Sequence, residues 1–258
     1  YGIDLAISAQ DPNKIYLGGM ELFRSNNGGA SFSLYVPWIY SAAGAKYIHA
    51  DIHSLEWVNS RLYTGTDGGI SISENNEATF KNLSNGLNVR QFYKIGVGKN
   101  HPKVVVGGAQ DNGTASTFGN NYAWREWLGA DGMDAFISWA DPNYQIGTSQ
   151  NGKLYLTTNG GISQYGLSSS EGNWVTPIAQ HPTIADIFYV GYTKVSKYTF
   201  SGGTGQELGE PSGSGKCNEL AISETNPLIM FVSKGSTLSK STDGGISWSQ
   251  LTSSLGSI

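Results

Sequence analysis

The chain has 258 residues, 38% hydrophobic and 14% charged, with a net charge of −4 and a pI near 5.5. That length can bury a large core, while the acidic balance and the absence of a basic stripe argue against nucleic acid and anionic membranes as partners. No apolar run reaches the roughly 18 residues a membrane helix needs, and the lone Cys217 excludes an internal disulfide and reads as a small buried side chain.

Thirty-five glycines, 12% aromatics and no long Ala/Leu/Glu/Lys run favour many short strands joined by tight turns. The chain opens on Tyr1 inside what reads as a strand, so it reads as a mature or excised piece of a longer protein. Along it one frame recurs. "AQDPNKIYLGG" (residues 9–19), "GKNHPKVVVGG" (98–108), "WADPNYQIGTS" (139–149), "AQHPTIADIFYVG" (179–191) and "SETNPLIMFVS" (223–233) each place a polar residue and a proline before a β-rich run. "LEWVNSRLYTGT" (55–66) keeps the frame without proline. Proline presets φ for a turn and cannot donate to a ladder, so it is expected between strands.

The copies recur about every 40 to 46 residues, which is room for four short strands and their turns. This period predicts an all-β propeller of four-stranded blades, near residues 2–40, 50–88, 91–128, 132–173, 175–214 and 217–252. Six blades are visible, as a closed ring or as part of a seven- or eight-bladed one. The whole chain, 1–258, reads as one propeller domain of a larger protein.

Between third and fourth strands a second frame appears: "SNNGGASF" (25–32), "SENNEATF" (73–80), "TTNGGISQ" (157–164) and "STDGGISW" (241–248). Asn27, Asn75, Asn159 and Asp243 hold the position whose side chain accepts backbone N–H bonds and folds the hairpin. The frame resembles the Asp-box (BNR) repeat of sialidases and sortilin-type propellers. In those proteins the box lies at the blade edge, so the resemblance implies a structural turn.

Residues 45–165 carry a more specific likeness, in "HADIHSL" (49–55), "LYTGTDGGI" (62–70), "LSNGLNVRQFYKI" (83–95), "GGAQDNGT" (107–114) and "GADGMDAFI" (129–137). These resemble secreted bacterial Asp-box proteins of glycosyl hydrolase-like type, many exported by the type IX route. The resemblance implies an extracellular or cell-surface protein.

Chemistry is expected near the inner strands. His49, Asp51 and His53 alternate, so on a strand all three would share one face, as a hard-cation site for calcium or an imidazole site for zinc or a similar ion. A hydrogen-bonded network fixing loops is the plainer account of the same residues. Asp67 and Asp111 occupy matching stations after the second strands of blades two and three. Gln110, Asn112, Asp131 and Asp134 join them as candidate ligand-binding residues. His101 and His181, beside prolines, read as exposed turn residues.

Three functional readings follow. The preferred one is a binding or scaffold module for polysaccharide or protein, with Trp124 and Trp127, and also Trp38, Tyr40 and Tyr122, as stacking aromatics or as inter-blade filling. The alternative is a xyloglucanase-like glycoside hydrolase. "TGTDGGISIS" resembles the segment bearing a catalytic aspartate in those enzymes, which implies Asp67, with Asp111 or another Asp as the second carboxylate. A sialidase needs three convergent arginines and a Phe/Tyr-Arg-Ile-Pro segment. The chain lacks that segment, and of its arginines (Arg24, Arg61, Arg90, Arg125) Arg24 adjoins a box and Arg61 a turn.

Overall fold

Apolar residues at every second position give strands, and the sheets form from strands adjacent in sequence. The computed structural model describes residues 3–39, 44–75, 77–87, 90–119, 123–202 and 205–252. Tyr40 and Tyr122 lie outside them. Six four-stranded antiparallel sheets result, each a meander in which consecutive strands are hydrogen-bonded neighbours. The chain is all-β, and these sheets are the blades of a β-propeller fold. Among the described residues, helix is confined to the single 3-10 turns Gly44–Lys46 and Gln150–Gly152. None is long and apolar enough to cross a membrane.

The chain separates into two compact units, residues 1–89 and 90–258. The first holds blades one and two. Its core forms where Tyr16, Leu22 and Val36 of blade one meet Ile52, Leu55 and Leu62 of blade two. Gly18 lets them meet, since a Cβ there would lie 2.6 Å from the Ile52 side chain. The second unit holds blades three to six. Ile146 and Leu154 of blade four pack with Phe188 and Val190 of blade five. Tyr189 and Val195 pack with Cys217, Met230 and Val232 of blade six. Cys217 is fully buried, and burial pushes its thiol up to about 11, so it stays protonated at neutral pH.

The residue before each turn proline has a local task. Asp11 and Asp141 accept the N–H of Asn13 and Asn143, each at 2.9 Å, and Asn226 accepts that of Leu228 at 3.2 Å. This Asx-type bond fixes the bend between first and second strands. His181 does the same with a ring nitrogen, Nδ1 accepting from Thr183 and Ile184 at 3.2 and 3.0 Å. The expectation of an exposed histidine is therefore corrected. His181 is buried, and burial holds its pKa below the usual value, favouring the neutral ring that this acceptor role requires. His101 is corrected as well. It and Pro102 begin the second strand of blade three (His101–Ala109), where a register shift before Val105 removes the need for a proline N–H.

The Ser/Thr-x-Asn/Asp turns share one bonding scheme. In blade six the Ser241 hydroxyl donates to Asp243 at 2.8 Å, and Asp243 accepts the Ser247 N–H at 2.9 Å. Ser241 Oγ also accepts the Gly245 N–H at 2.8 Å. Ser25 with Asn27, Ser73 with Asn75 and Thr157 with Asn159 repeat the hydroxyl bond at 2.8, 3.2 and 3.1 Å. Bonds from the Ser247 hydroxyl and backbone and from Ser241 pull the Asp243 carboxyl down to about 2. The Trp248 indole N–H bonds the carbonyls of Gly209 and Gly245, each at 3.1 Å. The side-chain acceptors of these boxes are spent on their own hairpins.

Candidate functional site

In the first unit, the turn Thr66–Gly69 joins the second and third strands of blade two and presents Asp67. Thr66 braces it, its hydroxyl accepting from the Gly68 N–H at 3.2 Å and donating to the Gly69 carbonyl at 3.0 Å. His53 lies at a register shift in the strand Ile52–Val58, and its Nε2 sits 2.6 Å from Asp67 Oδ1. The His49 ring covers Gly68, where a Cβ would lie 2.3 Å from it. The two histidines thus contact adjacent residues of one turn.

The expected common strand face is corrected. Asp51 has φ 58 and precedes the strand, so the chain bends left-handed between His49 and His53. Only His53 lies within the strand, at the register shift between Ile52 and Ser54. His49 Nδ1 lies 3.1 Å from the Ala50 carbonyl, so this nitrogen already has a protein partner.

In the second unit, Gln110, Asp111 and Asn112 form the turn after the second strand of blade three. Asp111 has φ 59, and the carboxylate of Asp131 holds its N–H at 2.8 Å. Asn112 Nδ2 donates to the Gln110 carbonyl at 3.0 Å. Gln110 Oε1 accepts from the Tyr93 hydroxyl at 2.6 Å, and that hydroxyl accepts from Trp174 Nε1 at 3.2 Å. A directional relay therefore runs Trp174 to Tyr93 to Gln110. Beside it Lys94 Nζ meets Glu219 at 2.6 Å, and Lys99 pairs with Glu224. The Glu219 bond holds the Lys94 pKa above its usual value.

Sequence reasoning missed Tyr93, Lys94, Trp174 and Glu219. One signal was present: Lys94 and Lys99 are spaced as Glu219 and Glu224 are, so one register satisfies both pairs between the first strands of blades three and six.

Two candidate ligand contacts prove to be internal. Trp127 is buried and packs over Gly147 and Gly161, where Cβ atoms would come within 2.8 and 2.9 Å of the indole. It is inter-blade filling. Trp124 remains 43% exposed and rests on Phe92, their ring centroids 5.3 Å apart. Asp134, expected at a binding surface, instead accepts the N–H of Ile178 at 3.3 Å, joining the first strands of blades four and five. Asp4 makes the same latch in the first unit, accepting the Leu55 N–H at 2.6 Å.

Burial raises the Asp134 carboxyl to about 6, partly offset by the Ile178 N–H and by Lys94, while Glu219 adds to the rise. A folded-state pKa above the unfolded one means the native state holds its proton more tightly. This contribution is full below about pH 4 and is lost as pH rises through about 6. Wild type is therefore expected to lose on the order of 2 kcal/mol between pH 4 and 7 through this group. Asp134→Asn removes that component. Urea unfolding of both proteins at the two pH values checks it, and an unchanged difference between them would refute it.

Fold and site define a β-propeller-class protein whose candidate acids and imidazoles brace turns and adjoining strands. No family model matches the chain, and no curated protein matches it. A GH74 xyloglucanase from Xanthomonas campestris is similar at 15% identity and TM-score 0.48, over 96% of this chain and 45% of that one. YCF48 bound to D1 peptide is similar at 15% identity and TM-score 0.45, over 97% and 82%. An ancestral GH74 enzyme is similar at 15% identity and TM-score 0.36, over 99% and 32%. The chain thus spans less than half the length of the xyloglucanase.

Proposed function

We propose that the protein is a noncatalytic binding module of Asp-box propeller type, secreted or held at the cell surface, that engages a polysaccharide. The observation that supports this reading is how three of the candidate carboxylates are used. Asp67 is tied to His53, Asp131 to the Asp111 N–H and Asp134 to the Ile178 N–H. Glycoside hydrolysis needs two carboxyl groups facing one scissile bond, one to protonate it and one to attack or activate water. Here each named acid holds a loop or strand.

The test is Asp67→Asn. Glycan affinity is expected to change less than about threefold, with no oligosaccharide released from β-glucans by either protein. Release of reducing ends by wild type, abolished by Asp67→Asn, would establish the hydrolase instead.

A further inference from the structure

A cleft of about 570 Å³ opens between blades three and four of the second unit. This volume lies within the range of small-ligand sites. Ser116, Phe118 and Arg125 form one wall, with Asn143, Asn159 and Ile162 opposite. Ser116 and Arg125 face each other across the third and fourth strands of blade three, so their side chains share a face, and Phe118, two residues on, shares it too.

Among the described residues, two groups in this cleft lack partners and a third presents an acceptor. The other arginines are occupied: Arg24 lies over the Tyr35 ring, Arg61 pairs with Glu74 and Arg90 with Glu126. Arg125 is exposed and has no acidic or aromatic partner among the described residues. Ser116 is 1% exposed, and its hydroxyl has no hydrogen-bond partner among the described residues. Such a group is a standing cost unless something polar meets it. Asn143 spends its amide N–H₂ on Asp141 at 3.0 Å, which directs its carbonyl oxygen away from that bond as an acceptor. Phe118 and Ile162 are 42% and 73% exposed, supplying apolar surface on both sides.

The set asks for a ligand with an anion for Arg125, hydroxyls for Ser116 and Asn143, and an apolar ring face for Phe118 and Ile162. A pyranose bearing a carboxylate meets all of these. We propose that this cleft binds a uronic-acid residue of an acidic polysaccharide, Arg125 gripping the carboxylate. The proposal rests on the binding-module reading and names the ligand class and the place.

Calorimetric titration of the chain with trigalacturonate, cellotriose and a hexaglutamate peptide tests it, with Arg125→Gln in the cleft and Arg61→Gln as a charge-matched control. Trigalacturonate is expected to bind at least about tenfold more tightly than cellotriose, and Arg125→Gln to weaken it about tenfold, as loss of one charge-assisted contact does. Arg61→Gln should leave it unchanged, and melting temperatures confirm that both variants fold. Equal affinity for cellotriose, preference for the peptide, no binding of trigalacturonate, or insensitivity to Arg125→Gln each overturns the proposal. Neutral-glycan binding insensitive to Arg125→Gln would remove this site and leave the binding-module reading standing. Glycan hydrolysis would remove that reading, with the Arg125→Gln effect on affinity still deciding the cleft.

Discussion

Gly108→Ala is expected to destabilise the protein by about 3 kcal/mol or more, at the upper end of overpacking penalties. For a chain of this size that corresponds to a fall in melting temperature of roughly 6–12 °C. Gly108 lies in the second strand of blade three, and a Cβ there would sit 2.0 Å from the Met133 carbonyl oxygen and 2.6 Å from the Met133 nitrogen. Both are backbone atoms of the first strand of blade four, so no rotamer change can relieve the clash. Nearby, Gly132 faces Gly113 O at 2.1 Å and Gly96 faces Ala135 O at 2.6 Å, so the two sheets approach along a line of such residues. Gly129, with nothing within 4 Å of its Cβ position, is the matched control, and its alanine variant should melt within about 2 °C of wild type. Thermal unfolding of the two variants decides. A Gly108→Ala protein as stable as Gly129→Ala would show that blades three and four do not meet backbone to backbone.

Glu77→Ala is expected to cost about 3–5 kcal/mol, the range for breaking a buried charge pair from one side. Glu77 follows the turn of blade two at φ 60, and its backbone carbonyl accepts the Tyr35 hydroxyl at 2.8 Å. Its side chain is wholly buried, with Lys14 Nζ 3.6 Å away. Among the described residues neither carboxylate oxygen accepts a hydrogen bond of good geometry, and Arg24 Nε and the Tyr16 hydroxyl are buried without one as well. Burial and the neighbouring Glu77 charge both drive the Tyr16 hydroxyl toward staying protonated. Alanine would remove the carboxylate that faces Lys14 and open a void in its place. Glu74, three residues earlier, pairs with Arg61 at 3.2 Å with both side chains half exposed, and Glu74→Ala should cost less than about 1 kcal/mol. Denaturant midpoints of the two variants separate the cases, and equal losses would refute the buried role.

The difference between these glutamates marks how far the amino-acid sequence could be read. Blade period, meander order and the Ser/Thr-x-Asn/Asp turns were legible because each is local: a strand, a bend and a side chain folding back within four residues. The Asp/Asn-Pro turns were legible for the same reason. His181 and His101 were misread because their neighbours suggested one shared turn, while burial and a register shift decided the outcome. Asp134 and Trp127 were singled out as ligand contacts because polar and aromatic residues near inner strands look functional. Their partners, Ile178 and the glycines at 147 and 161, lie in other strands and carry no local mark. Lys94 with Glu219 and the cleft of Ser116, Arg125 and Asn143 depend on sequence separations that only the fold closes.

Every ladder of backbone bonds closes inside its own sheet. What passes from one sheet to the next within each unit is close packing, a few carboxylate latches, single backbone bonds such as Ile52 N–H to the Gly19 carbonyl at 2.7 Å and Cys217 N–H to the Tyr192 carbonyl at 2.8 Å, and, in the second unit, pairs such as Lys94 with Glu219. Copying or deleting a repeat would therefore sever no strand pairing, and the architecture can drift in copy number while each module keeps its internal wiring.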